Sequence, residues 1–337
     1  MNRPESSAKP IVLIAPLDWG LGHATRCIPI IKKEIEKGKI VYLAGEGHVK
    51  TLLQEEFPDL PFLDLKGYRI LYSRSSALFH FKVFIQIPKI LQAIRYEHKW
   101  LKKIIQQYGI NEIISDNRYG LYSYSIPSFF ITHQLLIKTP FGKKADAFLQ
   151  KLNYRFIDRF TECWVPDFEK EDNLAGELSH PLQYPRIPVR YIGPLSRFHI
   201  PSNLPEEKHM LALLSGPEPQ RTIFEKKILH QLINYDKEVV LVRGLPGCKE
   251  KLHVGKNIKV FNHLPAKDLE KALLESSVII ARCGYSTIMD VITLKKRSIL
   301  IPTPGQTEQE YLAKNIQQKN LSISIKKEDD LILDSIV

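Results

Sequence analysis

The densest run of residues able to do chemistry lies between Val278 and Ala313. Val278 to Ala281 is a short apolar run that reads as a buried strand, and it delivers a tight turn at Cys283-Gly284 followed by a helical pattern. Ser286 and Thr287 stand where side chains cap a helix. The unpaired N–H groups and positive dipole end of that helix then face whatever lies beyond the strand, and phosphate is the usual guest there. Asp290, one turn further on, would repel the same phosphate, but a carboxylate at that distance can accept hydrogen bonds from a pair of ribose hydroxyls. A second strand, Ser298 to Ile301, ends in Pro302-Thr303-Pro304-Gly305. The polar cluster Gln306, Glu308 and Gln309 follows, beside the phosphates. Taken alone, Ser286-Thr287 can equally be no more than the start of a Rossmann-like helix.

A second constellation sits near the N-terminus. Ile11 to Ala15 is an apolar run bounded by Pro16; it leads into Asp18-Trp19-Gly20-Leu21-Gly22-His23 and then a helix from about Thr25 to Lys37. Gly20 and Gly22 permit a tight turn and close approach of a ligand. The dinucleotide fingerprint is incomplete: Thr25 stands where its third glycine would be, although Glu46 follows at about the right distance. His23 lies at the carboxyl end of the first strand, in the crevice where open α/β sheets bind ligands, with an ordinary pKa suited to base catalysis. A histidine that merely caps the turn accounts for it as well. The strand Ile110 to Ser115 brings Asp116 to the same edge, either to orient His23 or to cap the next helix. Ser128 to Thr132 ends at His133-Gln134, a second histidine on that edge, so the identity of the base stays open.

The spacing Arg282-Cys283-Gly284-Tyr285-Ser286-Thr287 with Asp290, followed by Pro304-Gly305-Gln306-Thr307-Glu308-Gln309 and Ala313, resembles the donor-binding signature of GT-B glycosyltransferases. It looks closest to the MurG-like family 28 and is similar to plant and bacterial UDP-sugar transferases. The resemblance implies an α/β chain of the GT-B type, two Rossmann-like domains facing each other across a cleft. Residues 1–185 would form an N-terminal acceptor domain, the proline-rich 186–207 a linker, and 208–337 the nucleotide-sugar domain. It implies that Gly284, Ser286 and Thr287 hold the diphosphate, Asp290 the ribose, and the Gln306, Glu308 and Gln309 cluster the donor sugar. Ser215, Gly216 and Arg221 resemble the family's diphosphate loop, Arg243 ends a strand beside it, and Phe261-Asn262 belong to a stretch resembling the loop that holds the base. Gly22-His23 matches the position of the catalytic base in several UDP-sugar transferases. Many relatives carry histidine where this chain has Arg282, a fixed cation still able to pair with diphosphate. With no Asp-x-Asp at a strand end, no metal or cofactor is expected. Neutralising the leaving group would then fall to Arg282, Arg221 and the helix N-terminus.

The activity so implied is an inverting transfer of a hexosyl or N-acetylhexosaminyl group from a nucleotide sugar, UDP-linked, to an acceptor hydroxyl, with His23 as base and Asp116 as its partner. A GT-B epimerase acting on the nucleotide sugar, and a noncatalytic nucleotide-sugar-binding protein that docks on a membrane, are the alternatives.

Composition sets the frame for these readings. The chain of 337 residues is 44% hydrophobic and 25% charged, ordinary for soluble domains and long enough for about two. No apolar run reaches the ~18 residues of a membrane span, and the polar first ten residues do not read as a targeting signal. Cys27, Cys163, Cys248 and Cys283 are widely spaced, which fits a reduced cytoplasm. Of the net charge of +11, residues 1–163 carry +9 (24 Lys and Arg against 15 Asp and Glu). Between Lys66 and Gln107 stand nine basic residues and a single acid, Glu97, interleaved with aromatics; Leu78 to Phe84 is apolar beside Arg74 and Lys82. This pattern suits either a solvated face over a core helix or a peripheral contact with the inner face of an anionic membrane and a lipid-linked acceptor of the cell-envelope type. No nucleic-acid motif is recognisable, so that partner is not expected.

Overall fold

A computed structural model describes residues 9–69, 86–216, 218–232, 235–250, 252–319 and 322–328. The apolar stretch Leu78 to Phe84 and the C-terminal Leu331 to Val337 lie outside the described residues. The chain folds as two parallel sheets flanked by helices. The first contains β1 (Ile11–Pro16), β2 (Ile40–Gly45), β3 (Phe62–Asp64), β4 (Glu112–Asp116), β5 (Ser128–Ile131), β6 (Glu162–Val165) and β7 (Val189–Tyr191), in the order β3-β2-β1-β4-β5-β6-β7. The second contains β8 (His209–Leu213), β9 (Val239–Val242), β10 (Ile258–Phe261), β11 (Ser276–Arg282), β12 (Ser298–Ile301) and β13 (Ile323–Ile325), ordered β10-β9-β8-β11-β12-β13.

Both orders reverse direction at one point, between β1 and β4 and between β8 and β11, and such a switch opens a crevice at the carboxyl ends of the strands. The register places Pro16, the last residue of β1, beside Asp116, the last residue of β4. The central strands form because they are apolar on both faces: Val12, Leu13, Ile14 and Ala15 are all fully buried, as strands covered by helices on either side must be.

Helix α1 (Leu21–Glu36) turns Ala24, Cys27, Ile28 and Ile31 onto the first sheet, the spacing of a single helical face. It starts four residues earlier than the sequence suggests. Gly20, at φ 92, takes the position ahead of the helix, a conformation that a residue with a Cβ rarely adopts. His23 therefore sits in the first helical turn and not in a loop. Pro29 inside α1 costs about 3 kcal/mol, but burying Ile28, Ile30 and Ile31 at about 1.5–3 kcal/mol each outweighs it.

The first sheet also extends past Cys163–Pro166, which reads in the sequence as its last strand. Val189–Tyr191 pairs with β6 as a seventh strand, inside the proline-rich segment. The residues around this crossing are packed: Leu174, Ala175, Leu178 and Phe198 belong to the core of the second sheet, with α6 (Ala266–Leu274), α7 (Tyr285–Thr293) and α8 (Thr307–Gln317). The remaining helices are α2 (Gly47–Glu56), α3 (Ile87–Tyr108), α4 (Lys143–Ile157) and α5 (Gln220–Leu232). On α3 the apolar positions Ile94, Leu101 and Ile104 are buried, and the single acid, Glu97, is buried with them. Its carboxylate accepts from Arg118 Nη1 at 2.9 Å, Tyr68 Oη at 3.0 Å and the Gly120 N–H at 3.0 Å. Arg95, Lys99, Lys102 and Lys103 are left on the exposed face. No described helix is long and apolar enough to cross a membrane.

Candidate active site

The carboxyl end of β4 supplies a fully buried carboxylate, and the first turn of α1 supplies what it binds. Asp116 Oδ1 lies 3.2 Å from His23 Nδ1. Arg26, one turn beyond His23, grips the same carboxylate with both arms of its fork: Nε is 2.7 Å from Oδ2 and Nη2 contacts Oδ1. Arg26 Nη2 is also 2.8 Å from His23 Nδ1, and its Nη1 is 3.3 Å from Nδ1 of His133, in the loop after β5. His133 Nε2 in turn meets Glu308 Oε1 at 2.7 Å. Glu308 lies in the first turn of α8, so a continuous polar chain, Asp116–Arg26–His133–Glu308, crosses from the first domain to the second.

Two adjacent contacts fix this crossing. The His133 ring stacks on Tyr285 of α7, with centroids 4.0 Å apart, and Tyr285 Oη donates to the Pro166 carbonyl at 2.7 Å. Beside it Ser286 Oγ donates to the Gly22 carbonyl at 3.0 Å. A Cβ on Gly22 would stand 2.8 Å from that hydroxyl, so the absence of a side chain lets the two helix N-termini approach.

The electrostatics follow from burial and the Arg26 charge. Burial alone would raise the Asp116 pKa, but Arg26 and then His23 outweigh it and hold the carboxyl well below the usual range. The His23 pKa is lowered, first by burial and then by Arg26, with Asp116 opposing. The ring is therefore neutral at pH 7 and able to take a proton. Its side chain keeps 16% exposure. When Nδ1–H donates to Asp116, the lone pair is left on Nε2. Glu308 is held ionised because the nearby His133 outweighs the burial that would neutralise it.

The donor-side residues expected from the sequence gather around the second switch point. Gly284, in extended conformation, precedes α7 and holds the position before its first turn. Ser286 and Thr287 consequently fall inside that turn; no side chain caps the helix, and the Ser286 hydroxyl bridges to Gly22. Asp290 accepts from Ser196 Oγ at 2.7 Å, and burial, partly offset by that bond and by Arg197, raises its pKa to about 6. Gln306 immediately precedes α8, and Gln309 Oε1 accepts the Thr303 N–H at 2.8 Å. Ser215 and Gly216 follow β8, the latter at φ 108. Phe261 ends β10, partly exposed, beside Asn262.

The arginines are engaged within the protein. Arg221 binds Glu218 at 2.5 Å and Glu225 at 3.1 Å, while Arg243 binds Glu225 and, at 2.9 Å, Asn262 Oδ1. Arg282 is buried with Nη1 2.7 Å from Glu328 and its guanidinium 4.0 Å from the Phe224 ring centroid. Sequence reading missed Arg26, Ser196, Glu225 and Glu328. Only Arg26 left a usable signal, three residues after His23 and so on the same helix face.

Residues 209–333 match the model of the glycosyltransferase family 28 C-terminal domain. An uncharacterized glycosyltransferase of Methanosarcina acetivorans is 23% identical over 94% of this chain and 86% of its own. Among solved structures, MurG of Acinetobacter baumannii superposes with a TM-score of 0.51 at 13% identity, covering 96% of this chain and 87% of that one. UGT89C1 of Arabidopsis thaliana, complexed with UDP-L-rhamnose, superposes with a TM-score of 0.62 at 13% identity, covering 98% and 88%. At such identities the structural likeness carries the fold alone, while the family match covers residues 209–333, the stretch that holds Asp290 and Glu308. Fold, family match and relative converge on a glycosyltransferase of the GT-B fold, whose residues 209–333 are similar to the family 28 C-terminal domain.

Proposed function

We propose that this enzyme moves a hexosyl or N-acetylhexosaminyl group from a UDP-linked sugar to an acceptor hydroxyl, inverting the anomeric centre. The observation that carries the reading is the polar chain joining the His23–Asp116 pair of the first domain to Glu308 of the second. It joins, in this reading, the base to the carboxylate that takes the sugar. In this reading the acceptor hydroxyl gives its proton to His23 Nε2 as its oxygen attacks the anomeric carbon. The bond to the diphosphate breaks in the same displacement, and the imidazolium is held through Nδ1–H by Asp116. The N–H groups that open α7, at Gly284, Ser286 and Thr287, receive the departing diphosphate. Asp290 takes the ribose, and Glu308 with Gln306 and Gln309 takes the sugar hydroxyls. Ser215, Gly216, Phe261 and Asn262 border the nucleotide. Arg221, Arg243 and Arg282 reach phosphate only by exchanging their present carboxylates for it.

The acceptor in this reading is lipid-linked and met at an anionic membrane surface. What supports it is the +9 charge of residues 1–163 and an exposed patch at the start of α4. There Phe141 and Phe148 are 75% and 69% exposed, beside exposed Lys143, Lys144 and Lys151. The chain reaches this patch from the cleft: Lys138, five residues after His133, accepts Thr307 Oγ1 of α8 through its carbonyl at 2.9 Å.

The test is a thermal-shift screen of nucleotide sugars followed by product analysis with and without lipid-linked acceptors. A donor at 100 times its Kd stabilises by about 2.7 kcal/mol. Transfer that needs the acceptor and inverts the anomeric centre is the expected result. Conversion of the donor with no acceptor present would point to an epimerase, and binding without turnover to a noncatalytic protein.

A further inference from the structure

A buried histidine beside a buried carboxylate has an electrostatic difficulty as a resting base. The carboxylate favours the imidazolium, and a ring that already carries two protons cannot accept another. The geometry around Asp116 shows how this chain meets it. We propose that Arg26 is a positioning residue, sharing the Asp116 carboxylate with His23 so that the carboxylate fixes the ring without holding a proton on it. This inference rests on His23 being the base.

Arg26 approaches Asp116 as a two-armed fork, with Nε 2.7 Å from Oδ2 and Nη2 on Oδ1, so one full positive charge already answers the carboxylate. The same Nη2 stands 2.8 Å from His23 Nδ1. A guanidinium can only donate, so Arg26 offers an Nδ1–H no acceptor: that proton is answered by Asp116 alone, with the Arg26 charge set against it. Protonating the ring sets a second cation against Arg26 in a buried site. The other groups near the ring do not cancel this. Cys27 of α1 has its thiol pKa raised by burial and is uncharged; His133 from the β5 loop adds to the penalty on the cation; Glu308 of α8 is paired with His133. Ser286 of α7 is neutral and bound to the Gly22 carbonyl.

The other end of the fork meets a second ring. Arg26 Nη1 stands 3.3 Å from His133 Nδ1, and the other ring nitrogen of His133, Nε2, meets Glu308 Oε1 at 2.7 Å. One side chain thereby touches the base and also the histidine that meets the Glu308 carboxylate.

Carbon-13-labelled histidine makes the ring of His23 visible to NMR, with His23→Asn providing the assignment. In Arg26→Gln the His23 titration midpoint should rise by about one pH unit or more, the usual size of a neighbouring-charge effect. The acid limb of the kcat/KM profile should rise with it. Arg26→Lys, which restores the charge without the fork, should bring the midpoint back toward wild type; a merely structural role would leave Lys and Gln alike. A midpoint unmoved or lowered in Arg26→Gln overturns the inference. If Arg26→Gln does not fold, Asp116→Asn is compared with Arg26→Met plus Asp116→Asn. The double variant should have the higher midpoint, and equal midpoints overturn the inference. The NMR shift stands even if no donor is ever turned over, in which case the proposed reaction fails alone. Turnover that requires His23 but has an acid limb indifferent to Arg26 defeats the inference alone.

Discussion

Asp290 illustrates how the environment of one side chain sets the conditions for binding. Burial lifts its pKa to about 6, above the value near 3.9 it would have in the unfolded chain. Between those values the folded state holds the extra proton, so this group's contribution to stability is present at low pH and is lost as pH rises through about 6. The proposed binding of ribose by Asp290 runs the other way, since only the ionised carboxylate can accept from two hydroxyls at once. Nucleotide affinity should therefore weaken as pH falls below about 6, and Asp290→Asn should flatten that dependence in calorimetry. At neutral pH Asp290→Ala should weaken nucleotide binding by about 1–3 kcal/mol, and unchanged affinity removes Asp290 from the site. His23→Ala should lower kcat by roughly 10² to 10⁴ with donor affinity near wild type, because the donor contacts proposed above lie on the other domain; a variant with normal turnover would pass the base to His133. His23 and Asp116 were legible because each follows an apolar run that must be a central strand, which fixes the edge they share. Arg26 was legible only as a neighbour of His23 on one helix face, since the partner that gives it a role lies 90 positions away in sequence.

At the scale of elements, periodicity identified the central strands and the helices on them, while boundaries turned on single residues. Gly20 starts α1 early, and Gly284 takes the place before α7 that Ser286 would have filled. Strand β7 escaped notice because three residues among prolines carry no alternation, and its pairing with β6 is decided by tertiary contact. The meeting of α1 and α7 was equally invisible, since nothing in either helix names the other. It yields a direct test. Gly22→Ala places a methyl group 2.8 Å from Ser286 Oγ, so it should displace that hydroxyl and lower kcat/KM by about tenfold or more. Adding Ser286→Ala removes the obstructing oxygen and should recover part of the loss. The four proteins form a double-mutant cycle with an expected coupling of about 0.5–3 kcal/mol, and strict additivity would show that the two helix ends do not act on each other.

At the scale of the molecule, the two-domain plan was legible as a strand, glycine turn and helix repeated in each half. The closeness of the halves was not, for it depends on long-range contacts such as Glu56 Oε1 with the Ala266 N–H at 3.1 Å and Tyr311 Oη with the Glu177 N–H at 2.8 Å. The uneven charge is also a property of the whole. Burial of Glu97 leaves the exposed side of α3 basic, and the Phe141–Phe148 patch adds apolar groups among lysines. Each basic residue near an anionic leaflet is worth about 1 kcal/mol, so a handful suffices to hold the enzyme at a surface without an anchor. In vesicle flotation the wild type should rise with anionic liposomes and stay down with zwitterionic ones. Raising salt should release it as the screening length falls toward ~3 Å at 1 M. Phe148→Asp with Lys143→Glu and Lys144→Glu should abolish flotation while leaving the thermal shift produced by nucleotide unchanged, because the proposed nucleotide site is on the other domain. A variant that still floats like wild type would return the patch to an ordinary solvated face. No flotation by the wild type at low salt would make a water-soluble acceptor the better reading of the same cleft.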